Sequence, residues 1–525
     1  MPDNGIRELK KYFTYLEKDR NPLDTGIWKD ISENLLPYRE DWSKTRQKGK
    51  RRATKIYDSS PMNYLNIFSD GLHGNLINPS IVWFVLRLPA NFKFLEDTPE
   101  VKQWLQDIQE SLYYFLQESN FYSVMRQYFN DGGALGTAYL TLEEDLGNGK
   151  LVFYCLHPRE CYIAENQFGR IDVMFRKLKM TARTMKQKYG ADNLSQQVQQ
   201  ALLNNPFTEF DVIHAVYPNN EFDSRKLGSE YKAFASKHFE NKIGDDGKFL
   251  RQKGYDDFPY MVWRYFKGDN APYGDSPAVF ALPEIMSLQS MRKTLLRAGH
   301  ISADPAYNVP AEMKGEANIN PSGMNYVGPD FNRKISPITS GINYPVSIDF
   351  VKDSREILKR HYHVDFFLML EQAERMMTAR EVIERMGEKA TILSAGIGDL
   401  SLIFDSTIDY IFNLKMLSGE LPPPPQILIQ YMAGKRIPIE YMGPLAQAQK
   451  RLFETRGITD SLEVAAPILQ LFPETADLIN KDETLKDLLM SFGFPQDNLN
   501  SPEMIKQIRD GRAAQQQEEM KKIDA

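Results

Sequence analysis

Cysteine is nearly absent from this chain. Its 525 residues include two, Cys155 and Cys161, which excludes a disulfide-dense scaffold and any four-cysteine zinc or iron–sulfur centre. That usage fits a reducing compartment, and the two thiols read as small buried hydrophobes. Long apolar runs are missing as well: none approaches the roughly 18 residues that a membrane-spanning helix needs. The opening MPDNGIRELKKYF lacks the hydrophobic core of a signal peptide. No membrane insertion is expected, and the protein is expected to stay where it is made. Nor is there an excess of positive charge. Lys and Arg number 64 against 70 Asp and Glu, a net charge of −6, so any contact with nucleic acid must come from local basic patches rather than a general attraction.

Catalytic signatures are also lacking. No G-x-x-x-x-G-K-[ST] loop is present to hold a nucleoside triphosphate, and there is no G-x-S-x-G nucleophile elbow. GGALGTA and AGIGDL are poor versions of a dinucleotide loop. The seven histidines are scattered, and His361 and His363 stand two apart on a predicted helix, facing different ways, so they do not chelate one metal. The acidic pair Glu143-Glu144 reads as a solvated turn. No cofactor is expected, and the prior for an enzyme falls.

What is present is a folded chain. Hydrophobic residues make up 42% and aromatics 12%, which rules out wholesale disorder. At about 150 residues per domain the length gives roughly three domains.

Apolar spacing predicts helix over residues 1–36, through Leu9, Tyr12, Phe13 and Leu16, with a turn at Asn21-Pro22. A cationic stretch follows, with Lys44, Arg46, Lys48, Lys50, Arg51, Arg52 and Lys55. It is either a solvated loop or a contact for phosphate or an acidic partner. Asp58-Ser59-Ser60-Pro61 starts a helix that stops at Asn78-Pro79, and IVWFVLRL has strand composition. Two amphipathic helices span about 99–130, and mixed helix and strand continues to about 270.

Asp275-Ser276-Pro277 then opens a long helix carrying Leu282, Ile285, Leu288, Met291 and Leu295 and ending near His300. Residues 304–345 are broken by Pro305, Pro310, Pro321, Pro329, Pro337 and Pro345. A second helix resumes near Val346, with Val351, Leu358, Tyr362, Phe366 and Met369 as its stripe. Thr378-Ala379-Arg380-Glu381 is a capping box. The helix it opens reaches Ser418-Gly419, with Gly396 and Gly398 favouring a kink. Prolines 422–425 end it. Helical patterns occupy 444–511, and the tail AAQQQEEMKKIDA is too polar to pack.

The segments KIYDSSPMNYLNIFSDGLHGNLINPSIVWF (55–84), DGGALGTAYL (131–140), YGDSPA (273–278), MTAREVIERMGEKATIL (377–393) and IEYMGPLAQAQKR (439–451) resemble the portal proteins of short-tailed bacteriophages, the head-to-tail connectors. The resemblance implies an α+β, mainly helical subunit of a twelve-membered ring at one capsid vertex of the virion, assembled in the host cytoplasm. It places an N-terminal wing at 1–276, stem helices at 277–302 and 346–368, and a clip at 303–345. A channel loop then falls at 369–377, a kinked wing helix and turn at 378–425, a crown at 426–511 and a flexible tail at 512–525. Double-stranded DNA would pass through the channel inward on packaging and outward on ejection. The implied partners are a terminase on the clip, tail adaptor proteins after it, and capsid and scaffolding proteins; no covalent chemistry falls to the portal itself.

On this reading Glu371, Gln372, Glu374, Arg375, Met376 and Met377 form the channel constriction, against an ordinary interhelix turn. Lys352, Arg355, Lys359 and Arg360 are the candidates for cationic rings that centre the duplex, against intersubunit salt bridges or a solvated surface. Two other classes compete: a nucleic-acid-processing enzyme using the basic run, and a monomeric adaptor binding through its helices.

Overall fold

A computed structural model describes residues 5–37, 55–303, 344–368, 399–432 and 437–441, less 97, 146, 148, 224, 227, 242–247 and 269–271, with 307–308, 336–337 and isolated residues between 465 and 511. In chain order the elements begin α1 (Ile6–Thr25), α2 (Ile27–Asn34), α3 (Ser60–Leu76), β1 (Phe84–Leu86), α4 (Pro99–Glu118) and α5 (Phe121–Leu135). Next come β2 (Thr137–Asp145), β3 (Lys150–Leu156), β4 (Cys161–Glu165), β5 (Ile171–Thr181), α6 (Ala182–Tyr189), α7 (Gln196–Asn204) and β6 (Glu209–Pro218). Then follow β7 (Phe234–Glu240), β8 (Arg251–Tyr255), β9 (Tyr260–Arg264), β10 (Phe266–Lys267), β11 (Gly274–Asp275), α8 (Pro277–Phe280) and α9 (Leu282–Ala303). The last are β12 (Tyr307–Asn308), β13 (Ser336–Pro337), α10 (Tyr344–His361), α11 (Val364–Phe367), α12 (399–417), α13 (Gln426–Met432) and β14 (Ile439–Tyr441). The chain is mixed helix and strand, and no helix among the described residues is long and apolar enough to cross a membrane.

Two bodies divide the chain: residues 1–74, 90–372 and 396–436 form one, and 75–89, 373–395 and 437–525 the other. In the second, β1 pairs antiparallel with β14, and Arg87 meets Glu440 at 3.1 Å. The first body holds two larger antiparallel sheets, ordered β3-β2-β9 and β4-β5-β6-β7-β8. Alternation along β6 decides what each face of the five-stranded sheet covers. Ile213 and Ala215 pack with Leu9, Phe13 and Leu16 of α1. Val212, on the other face, packs with Met185 and Val198 of α6 and α7.

The three-stranded sheet lies against α5, and glycines set that approach. A Cβ on Gly132 would stand 2.1 Å from the Trp263 ring. Gly136, at φ +78°, caps α5 in the left-handed region and lies close to the Gly274 backbone. The GGALGTA glycines therefore serve packing and a helix end.

Several sequence expectations shift. The break after α1 falls at Gly26 rather than at Asn21-Pro22, because Pro22 keeps its place inside the last turn and its carbonyl accepts from Gly26 N. Having no N–H, Pro22 forfeits one bond, to the carbonyl four residues earlier, and the helix continues past it to Thr25. Glu143 and Glu144 lie in β2, paired with Val152 and Leu151, so they are strand rather than turn. Ser276 accepts a hydrogen bond from Val279 N at 3.0 Å and starts α8 as expected, but α8 gives way at Ala281 before α9. Pro283 explains that interruption: its ring opposes the carbonyl four residues earlier. α10 begins at Tyr344 and stops at His361, where His363 adopts φ +52°. The stripe residues Val351, Leu358 and Tyr362 are buried, Phe366 lies beyond the break, and Met369 is outside the described residues. Cys161 is buried and Cys155 half-buried.

Candidate functional site

α9 and α10 meet at one buried polar knot. The Gln289 carboxamide oxygen accepts from the backbone N–H groups of Tyr57 (2.7 Å) and Asp58 (2.8 Å), and its NH₂ donates to the Asp58 carbonyl at 2.8 Å. The Asp58 carboxylate accepts from Ser60 N at 2.9 Å and from the Arg355 guanidinium at 2.7 Å. Burial alone would raise the Asp58 carboxyl, but the hydrogen bonds from Ser60 and Arg355 outweigh it and hold its pKa below the usual range. One carboxylate and one amide thus tie the start of α3 to both long helices. Asp58 was legible as a cap-like residue; Gln289 was not, being a polar residue on an otherwise apolar stripe.

Of the basic residues singled out in the sequence, Arg355 is engaged in this knot. Lys352 stands 3.6 Å from Asp349, both well exposed, and Lys359 2.5 Å from Glu356. Such exposed i,i+3 pairs hold their cations weakly. Arg360 lines an open cleft of about 400 Å³ with Tyr265, Pro277, Phe280, Ile357, His361 and His363. Burial lowers the pKa of His363, and His361 beside it adds to the effect. Lys55 reaches Glu33 on α2. Lys44, Arg46, Lys48, Lys50, Arg51, Arg52, the 371–377 segment, Gly396 and Gly398 lie outside the described residues.

Elsewhere the buried polar groups are structural. Arg20, 1% exposed, donates to the carbonyls of Pro158, Arg159 and Cys161 and to Asp24, and lies over the Tyr162 ring. Lys415 of α12 donates to Glu144 (2.8 Å), Glu420 (2.7 Å) and the Gly149 carbonyl. Cross-strand register sets Arg176, His214, His238 and Arg251 in one row across β5 to β8. The two imidazoles stack at 3.9 Å. Tyr260 and Ser236 hydrogen-bond His214. Burial drives the His214 pKa well below its ordinary value and that of His238 down to about 3, and neighbouring cations push both the same way. Among the described residues no three His, Cys, Asp or Glu side chains are placed to hold a metal.

The site is thus a braced pair of long helices bearing charge, with no catalytic constellation among the described residues. The model of the bacteriophage head to tail connecting proteins matches residues 7–499. The chain belongs to that family. Among curated relatives it is 27% identical over 531 residues to the portal protein of Salmonella phage epsilon15, covering 98% of this chain and 93% of that one. It is 28% identical over 506 residues to the probable portal protein of Bordetella phage BPP-1, covering 93% and 88%. For a head-to-tail connecting protein, the polar groups just described read as bracing.

Proposed function

We propose that this chain is a phage portal protein: a subunit of a ring of about twelve at one capsid vertex, around a channel for DNA. The observation that carries the reading is the family match across 7–499, and the two long helices at 282–303 and 344–361, braced at Asp58, fit the stem of such a ring. Residues 1–276 then form the wing, 304–343, between the two helices, the clip, 369–377 the channel loop, 378–425 the kinked wing helix and turn, and 426–511 the crown. A ring repeats each channel residue once per copy. A mildly acidic lumen repels phosphates, so the duplex slides without being gripped. Lys352 and Lys359, seven residues apart on one flank of α10, and Arg360 supply the cations that centre the duplex. Arg355 is set aside for Asp58. The clip receives a terminase during packaging and tail proteins afterwards, in the host cytoplasm, and the portal makes or breaks no covalent bond.

The test is to assemble particles with a tagged copy of the chain and image the tag. The reading expects one labelled vertex per capsid, at the tail, and capsids without DNA when the chain is withheld. A tag spread over many capsid sites, or DNA-filled capsids lacking the chain, overturns it.

A further inference from the structure

One row of the five-stranded sheet carries more positive charge than the chain neutralises. Cross-strand register sets Arg176, His214, His238 and Arg251 side by side on the face that α6 covers, with Lys253 two residues along β8 on the same face. Arg176 and Arg251 start three strand spacings apart, about 14 Å. Their side chains lean together, since both lie close enough to the Tyr189 hydroxyl to favour its ionised form, and the Tyr189 ring packs 5.5 Å from that of His238. Lys188, from the end of α6, and Lys253 complete a set of four cations that act on His238. The stacked imidazoles hold β6 to β7; the cations around them are not spent in that way. Arg176 meets Glu160 at 3.1 Å, but among the described residues no ion pair joins Arg251, Lys188 or Lys253 to a carboxylate. Burial and the like charge of Arg251 lower the Lys253 pKa, although Glu143 of β2 opposes them. Glu240, on the same face, is taken by Ser195. Beneath the cations His238, 7% exposed, keeps Nδ1 buried with no hydrogen-bond partner, while His214 has both nitrogens engaged, by Ser236 and Tyr260. Buried polar atoms normally have partners, and half-buried charges of one sign call for a counter-charge.

We infer that this cluster is a binding site for a phosphate group, seated between the Arg176 and Arg251 guanidinia over the imidazole pair, with Lys188 and Lys253 at its rim. The inference does not depend on the ring. Guanidinia hold phosphate oxygens through paired N–H donors, and ammonium groups add charge. A divalent anion fits the surplus: four cations stand against Glu160 and Glu143, and those two carboxylates leave it uncancelled. The same charges repel a metal cation. The phosphate is either free in solution or part of a DNA backbone, and its chemistry is the same in both.

Equilibrium dialysis of the purified chain against radiolabelled inorganic phosphate, at neutral pH and constant ionic strength, tests this. One phosphate per chain should be retained. Arg251→Gln should weaken retention at least tenfold. Lys188→Gln with Lys253→Gln should weaken it severalfold, and because both side chains are exposed the fold survives their loss. Lys179→Gln, which removes an exposed cation on the opposite face of β5, should leave retention unchanged. A short DNA duplex that displaces the labelled phosphate from the parent chain supports the site with a DNA backbone as its source; phosphate retained under saturating duplex supports it with free phosphate. A parent chain that retains no phosphate overturns the site, and so does undiminished retention by the Lys188→Gln, Lys253→Gln chain.

Discussion

In the five-stranded sheet both faces are covered, by α1 on one side and by α6 with α7 on the other, whereas α9 and α10 leave Met286, Ile301, Ile348 and Phe350 in solvent. Their polar groups differ in the same way. Around the sheet Arg20 has four acceptors and the Glu240 carboxylate accepts from both the amide and the hydroxyl of Ser195. The helix pair has one buried knot, Lys293 lies over the Tyr57 ring beside it, and Lys352 and Lys359 sit in exposed local pairs. The sheet is covered on both faces within one chain; the helix pair leaves apolar side chains in solvent.

Arg20→Met should break the finished region most severely. It strands three carbonyl oxygens and the Asp24 carboxylate in the interior, and removing one side of such a buried cluster costs about 3–5 kcal/mol, measurable by denaturant unfolding. Acid should act next, and again on the sheet. Below about pH 6.5 the unfolded imidazoles bind protons while His214 and His238 stay neutral in the fold, their pKa values being depressed. Stability is therefore complete above that pH and falls as the pH drops, by about 2 kcal/mol for His238 between pH 7 and pH 5, with His214 acting in the same direction. Melting curves across that range check it, and His238→Asn should flatten the slope.

Asp58→Asn sharpens the comparison from the other side. It removes the charge facing Arg355, at about 1–3 kcal/mol, and amide exchange should quicken in 284–292 and 351–358 more than in β5 to β7. Smallest in stability is Lys352→Glu with Lys359→Glu, which should change unfolding by under about 1 kcal/mol because both pairs are exposed. DNA packaging should nonetheless fall; normal packaging would remove these two from the duplex-facing set.

Much of the helix pair was legible in sequence because its signals are local. Ser276-Pro277 marks a helix start, and Ile285 and Leu288 lie on a repeating stripe. Pro22 suggested a turn that is not there, and the interruption that Pro283 makes went unread, since whether a proline breaks a helix depends on the turn it falls in. The sheet's central features were not legible. The His214–His238 stack exists only once β6 and β7 are in register, and Lys415 meets Glu144 across 271 residues of chain. The same holds for the site: Asp58 reads as a cap, but its pairing with Arg355, 297 residues away, is a tertiary fact.

The most direct measurement is the mass of the purified chain together with its electron micrographs under assembly conditions. A ring of about twelve copies with a central hole is the predicted result; a stable monomer under those conditions would contradict it.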